Sequence, residues 1–218
     1  MLSLISIIIL SYLAGSIPTS IILSKLLRGI DIRDYGSGNA GGANAIRVLG
    51  WKIGSVVILV DVGKGVLATL LVSRLRFDPV PLTPDTVQII AGTCAIIGHI
   101  WTVFAQFRGG KGVGTGAGML FSLYPMAGLI CLAIFVSVLL TVRIVSVSSM
   151  TAAIALPIVI LIMRRLMNYS ISDELLYFSI FAAVLVVFTH RSNIRRLLKG
   201  EEKRFKRIAG GARSPRRP

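Results

Sequence analysis

Six apolar runs, at about 4–24, 53–75, 86–105, 117–142, 144–163 and 174–189, take up most of this 218-residue chain. Each is near the ~20 residues that an α-helix needs to cross a bilayer. Such runs leave few folds open, because in hydrocarbon every backbone N–H and C=O must find a partner within the protein. The runs are continuous rather than alternating, which selects helices over a barrel. A hydrophobic content of 54% is above that of a soluble domain of this length. The first run lacks a basic leader, and Gly15-Ser16-Ile17-Pro18 lies inside it instead of forming a cleavage site, so it reads as a retained helix.

The densest polar sequence interrupts this lipid-like background. Residues 35–50 read YGSGNAGGANAIRVLG and residues 107–118 read FRGGKGVGTGAG. Glycine lets backbone N–H groups approach an anion, and a fixed Arg or Lys adds charge-assisted hydrogen bonds to phosphate oxygens. Polar groups at membrane depth are costly and therefore functional candidates. The pattern points to a phosphate handled at a membrane face.

Charge sets the topology. The chain carries 24 Lys/Arg against 9 Asp/Glu, net +15, and residues 191–218 alone hold eleven Lys/Arg against two Glu, a net +9. A basic tail directly after a span reads as cytoplasmic, resting on anionic lipid, rather than as a nucleic-acid arm. Gly210-Gly211 and Pro215 suggest a disordered end. Six plain crossings from an outside N-terminus would leave this tail outside. Pro125 resolves the conflict by splitting 112–142 into a half-helix near 113–123 and a span near 126–142. The expectation is an all-α polytopic membrane protein of about seven transmembrane helices, some short or broken. Its polar loops lie on the cytoplasmic face, with 1–190 as the membrane domain and 191–218 as the tail. Arg164 and Arg165 sit on the far side in this arrangement.

The polar constellations each have a plain and a functional reading. Gly36, Ser37, Gly38 and Asn39 lead into a helix starting near Ala40, with Asn39 as its cap and Asn44 and Arg47 on it; this is either a glycine turn or an anion site. Gly109, Gly110 and Lys111 open another helix without a Walker A pattern, as a flexible loop or an anion nest. Asp61 and Lys64, at i and i+3, read as a structural ion pair. Arg143, Ser146, Ser148 and Ser149 gather at a span boundary, and His190 with Asn193 at another. His99 reads as a packing or helix–helix hydrogen-bonding residue. Cys94 and Cys131 lie in apolar runs, and two separated His suggest neither a zinc site nor another metal.

In order, the motifs GSGNxG…N…R, DxxKG, GHxxxxFxxFRGGKGVxT, RxVSxxS and HRxNIxRLLxGxE run from about Gly15 to Glu202. This set resembles the bacterial acyl-phosphate:glycerol-3-phosphate acyltransferases. The resemblance implies a seven-helix inner-membrane enzyme that moves a fatty acyl group from acyl phosphate to sn-glycerol 3-phosphate. Lysophosphatidic acid and phosphate would be its products, in the first acylation of phospholipid synthesis, with no cofactor. It also implies that Arg47, Lys111 and Ser149 bind glycerol phosphate. Ser37, Asn39, Gly109, Gly110, His190 and Asn193 would line the acyl-phosphate and reaction region. Ser37, Lys111, His190 and Asn193 are the expected catalytic set; Gly36, Asn44, Arg143 and Ser146 join the binding set. Without a Ser/His/Asp set, direct transfer by positioning is expected, with the substrate's phosphate taking the hydroxyl proton. The chain departs from the family pattern at Ala43, Thr102, Arg108 and Gly114, where Thr, Pro, Lys and Ala are usual. The rival readings are an organic-phosphate transporter, disfavoured by the lack of an internal repeat, and a scaffold using its tail.

Overall fold

The computed structural model describes residues 1–167 and 169–205, and these are helical with no strand. The expectations for the basic end, including disorder at Gly210-Gly211 and Pro215, lie outside the described residues.

The first apolar run breaks at Ile17-Pro18 into α1 (Leu2–Ser16) and α2 (Thr19–Arg28). A short α3 (Gly42–Leu49) leads into α4 (Trp51–Leu70). Then α5 (Pro84–Ile100) starts on Thr83, whose hydroxyl accepts from Thr86 N–H, with Pro84 at the first helical position. The split expected at Pro125 is present: α6 (Val113–Leu123) ends and α7 (Pro125–Val142) begins on that proline. The chain continues through α8 (Val145–Leu166) and α9 (Asp173–Thr189), which is bent by 56° from α10 (Arg191–Leu198).

Among the described residues, and with α1 and α2 counted as one, five segments are long and apolar enough to cross a membrane, or six when α9 and α10 count as one bent span. The remaining expected segment is α6, whose eleven residues rise only ~16 Å, about half the hydrocarbon thickness. Large side chains such as Leu59, Leu140, Ile158 and Val184 face outward, as a lipid-facing surface requires.

Small residues set how closely the helices meet. A Cβ at Gly15 or Gly98 would strike the backbone of the α5 or α1 partner, and one at Gly65 or Gly118 would strike α6 or α4. These glycines bring α1 against α5 and α4 against α6. Thr102, in place of the usual proline, is fully buried and donates to the Ser16 carbonyl at the end of α1. At the end away from α3, the Met1 amine and the Leu2 and Ser3 N–H groups converge on the Asp78 carboxylate, and Arg164 pairs with Asp173. The apolar core of Leu120, Ala127, Cys131, Leu156, Val159, Ile160, Met163 and Leu175 fills the α6–α9 side near that end. The space left above it, toward α3 and α10, is the site.

Candidate active site

A chamber of about 440 Å³ opens between α3, α4, α6, α7, α8 and α9. Its walls are apolar, including Val62, Leu132, Phe135, Phe181 and Leu185. Its head is polar: Ser37, Asn39, Arg47, Lys111, Ser146, Ser149, His190, Asn193, Arg196 and Glu202 all border it. Nine of the expected site residues thus meet in one place, the ninth being Asn44.

Asn44 is buried, and its amide is committed to the preceding loop. Its Oδ1 accepts from Ser37 N–H at 2.8 Å, and its Nδ2 donates to the Tyr35 and Ile32 carbonyls at 3.0 and 3.2 Å. Ser37 is presented between Gly36 and Gly38, both in the left-handed region at φ +65° and +74°. Asn39 does not cap α3. The helix begins two residues later than expected, with Gly41 at its N-cap and no side-chain cap, and the loop before it is ordered by Asn44.

The second glycine segment also departs from expectation. Gly109 N–H donates to the Ile100 carbonyl and Gly110 N–H to the His99 carbonyl, both at 3.0 Å. These donors satisfy the free carbonyls at the end of α5, so they do not form an anion nest. Gly36, Gly109 and Gly110 do not line the chamber, and Arg143 is exposed beyond it at φ +60°. The cation delivered by this segment is Lys111, whose ammonium donates to Asn193 Oδ1. Burial pushes Lys111 down to about 8; Glu202 opposes that, while Arg196 and Arg47 add to it.

Sequence reasoning missed Arg196 and, with more consequence, Glu202. Its Oε1 accepts from Ser146 Oγ at 2.8 Å and Asn193 Nδ2 at 2.5 Å, and its Oε2 from Arg196 Nε at 2.7 Å. Burial alone would raise this carboxyl. The hydrogen bonds from Asn193, Arg196 and Ser146 outweigh it and hold the group below the usual glutamate range. Arg47 is shifted down by burial, with Glu202 pulling the other way, and its guanidinium lies 5.4 Å from the Phe205 ring centroid. Lys203 donates to the Gly36 carbonyl, and Phe205 N–H to the Arg143 carbonyl. Residues 191–205 therefore close the chamber's head and do not leave it as a separate tail. The signal was present in the final motif, HRxNIxRLLxGxE, which contains both Arg196 and Glu202.

His190 sits at the bend between α9 and α10, almost fully buried, and its Nδ1 lies 2.7 Å from the Val186 carbonyl. A carbonyl only accepts, so Nδ1 carries a proton, and in the neutral ring Nε2 keeps its lone pair. Ser148 is spent on the Ile144 carbonyl, and Thr115 is buried off the chamber with no hydrogen-bond partner among the described residues. Asp61 and His99 border the chamber beneath Lys111, with Lys64 behind them.

A helical membrane bundle with an apolar chamber under a head that gathers Arg47, Lys111 and Arg196 is built for an amphipathic anion: one part charged, one part hydrocarbon. This class of integral membrane protein has a specific match. The family model described as glycerol-3-phosphate acyltransferase covers residues 5–200, and the chain belongs to that family. It is 45% identical to the glycerol-3-phosphate acyltransferase of Chlorobium chlorochromatii, over 94% of this chain and 98% of that one. It is 46% identical to the protein of the same name from Chlorobaculum tepidum, over 94% and 97%. Two crystal structures of PlsY (YgiH), an integral membrane glycerol 3-phosphate acyltransferase, share 34% identity over 94% of this chain and 96% of theirs. The glycerol 3-phosphate form superposes with a TM-score of 0.82 and the lysophosphatidic acid form with 0.78.

Proposed function

We propose that this protein transfers a fatty acyl group from acyl phosphate to the primary hydroxyl of sn-glycerol 3-phosphate, releasing 1-acyl-glycerol 3-phosphate and inorganic phosphate. The observation that carries the reading is the chamber itself. Its head brings Arg47, Lys111 and Arg196 together around Glu202, and its body is lined with Leu, Val and Phe. Two phosphates fit such a head, and an acyl chain fits such a body.

Arg47, Lys111 and Ser149 bind the glycerol phosphate, and Asn39, Ser37, His190 and Asn193 surround the carbonyl. The substrate hydroxyl oxygen attacks the carbonyl carbon, the new ester C–O bond forms, and the old C–O bond to phosphate breaks. The proton leaves with the departing phosphate, so no acyl-enzyme is needed. His190 Nε2, with its free lone pair, orients the attacking hydroxyl. Asn44 acts through the loop by holding Ser37. Catalysis then consists of positioning and of stabilising charge on the carbonyl oxygen. The site lies at the cytoplasmic face of the bacterial inner membrane, in keeping with the basic residues of α10 and the segment after it.

The test is turnover by purified protein given palmitoyl phosphate and sn-glycerol 3-phosphate, without CoA, carrier protein or added metal. Phosphate and lysophosphatidic acid are expected in equal amounts, and Lys111→Ala is expected to lower kcat/KM at least ~100-fold. Folded protein that makes no product refutes the reading; counterflow of glycerol phosphate in vesicles would then favour transport.

A further inference from the structure

Lys111 reaches the chamber at the end of a glycine-rich segment that has little side-chain substance of its own. Something beneath must hold it. Three titratable groups lie there, all nearly inaccessible: Asp61 at 5%, Lys64 at 4% and His99 at 7% exposure. Lys64 Nζ donates to Asp61 Oδ1 at 2.8 Å and to the Ile17 carbonyl, where the chain breaks between α1 and α2. His99 Nδ1 lies 3.6 Å from the same Asp61 oxygen, an electrostatic contact longer than a hydrogen bond. A pocket of about 10 Å³ among Ser16, Thr19, Asp61, Lys64, His99 and Gly110 has room for one water at most.

These groups touch the Lys111 segment from both sides. The His99 carbonyl takes Gly110 N–H, and a Cβ at Gly110 would fall on the His99 ring at Nε2. On the other side of Lys111, a Cβ at Gly114 would sit 3.2 Å from the Asp61 Cβ. The segment is therefore seated on His99 and Asp61. A buried ion pair is poor evidence for stability, since desolvation offsets much of its attraction, but it fixes geometry well.

We propose that Asp61, Lys64 and His99 form a buried buttress that sets the height and direction of the Lys111 segment, with His99 a positioning residue against which Gly110 must lie bare. The inference rests on the reading of Lys111 as the phosphate-binding cation, and it gives Gly110 a role distinct from ligand contact.

The experiment is a double-mutant cycle on the full chain in one detergent: wild type, Gly110→Ala, His99→Ala and the double variant. KM and kcat are measured for both substrates, and thermal unfolding is recorded for all four. A methyl at Gly110 lifts the segment off the ring. A misplacement near 1 Å costs about 100-fold, so Gly110→Ala lowers kcat/KM for glycerol 3-phosphate by roughly that factor, mostly through KM. KM for acyl phosphate stays within about twofold. In the His99→Ala background the added methyl costs less than about threefold, because the ring it strikes is gone. An equal loss in both backgrounds overturns the proposal. Should Gly110→Ala not fold, recovery of folded protein in the double variant supports the buttress, and no recovery overturns it. If wild type itself makes no product, the functional reading fails. The buttress is then judged by unfolding midpoints, where non-additive shifts support it and additive shifts overturn it.

Discussion

Glu202→Gln is the sharpest probe of the chamber's head, because it keeps the shape and removes one charge. In the wild type the Asn193 amide stands between Lys111 and Glu202, accepting from the first and donating to the second. One amide between them sets the two charges roughly 7 Å apart, an attraction of about 2 kcal/mol at an effective dielectric near 20. The Glu202 side chain is 8% exposed. Solvent and the neighbouring arginines screen part of the attraction, and a loss of about 1 kcal/mol is just under one pH unit. The attraction favours the charged ammonium, so removing it moves Lys111 further down, from about 8 to near 7. On the proposed reading phosphate binding needs that charge, so kcat/KM for glycerol 3-phosphate is expected to fall as pH rises through the Lys111 value in the free enzyme. The assay is kcat/KM for this substrate from pH 6 to 9. Wild type is expected to keep its plateau until about pH 8, and Glu202→Gln to begin its decline about one unit earlier. The acid limb, set by a second phosphate ionisation near ~6, stays in place. An unchanged alkaline limb in folded protein would refute the idea that Glu202 sustains the charge of Lys111. Loss of the charge-assisted bond from Arg196 is also expected to cost about 2 kcal/mol of stability, readable as a lower unfolding midpoint.

Asn44→Ala leaves Ser37 N–H and the Tyr35 and Ile32 carbonyls without their partner, so it is expected to cost about 2–3 kcal/mol and to lower kcat as Ser37 drifts. Asp at that position keeps the acceptor for Ser37 but loses both donations, so it should rescue only in part; an unfolding scan with steady-state rates checks both. Arg143→Ala, at an exposed position off the chamber, is expected to leave kcat/KM within about twofold, and a larger loss would bring Arg143 into the site.

Much of this architecture was legible in the sequence because membrane helices announce themselves. Runs of apolar residues near span length, and Pro125 in the longest of them, locate the helices and the α6–α7 break directly. Nine of the thirteen expected site residues border one chamber because motifs far apart in sequence lie at the same end of neighbouring helices. The errors arose where a backbone group had a nearer partner than a ligand. Glycines beside a lysine look like an anion nest, yet the end of α5 leaves carbonyls that need donors, and Gly109 and Gly110 supply them. Asn39 before a helix looks like a cap, yet Gly41 takes the N-cap position, and the loop is organised by Asn44, five residues on.

Glu202 was hidden for a different reason. Net charge describes the last 28 residues as a cationic tail, and within that average a single carboxylate looks incidental. The packed structure reverses the weighting. Three buried or half-buried cations cannot be held around one chamber unless something compensates their repulsion and desolvation. Glu202 is the anion that does so, and it reaches the site only because α10 turns 56° away from α9 and brings the following residues back over the chamber. On the proposed reading a phosphate-bearing substrate supplies further negative charge to the same cations, so Glu202 and substrate compete for Arg196 and for Lys111 through Asn193. The head is therefore a balance: enough anion to keep Lys111 charged before binding, and enough unspent cation to hold a phosphate afterwards. A neutral residue at 202 tips it one way, and a neutral residue at 111 the other. This is why the two substitutions are expected to differ in their pH profiles as well as in the size of their effects.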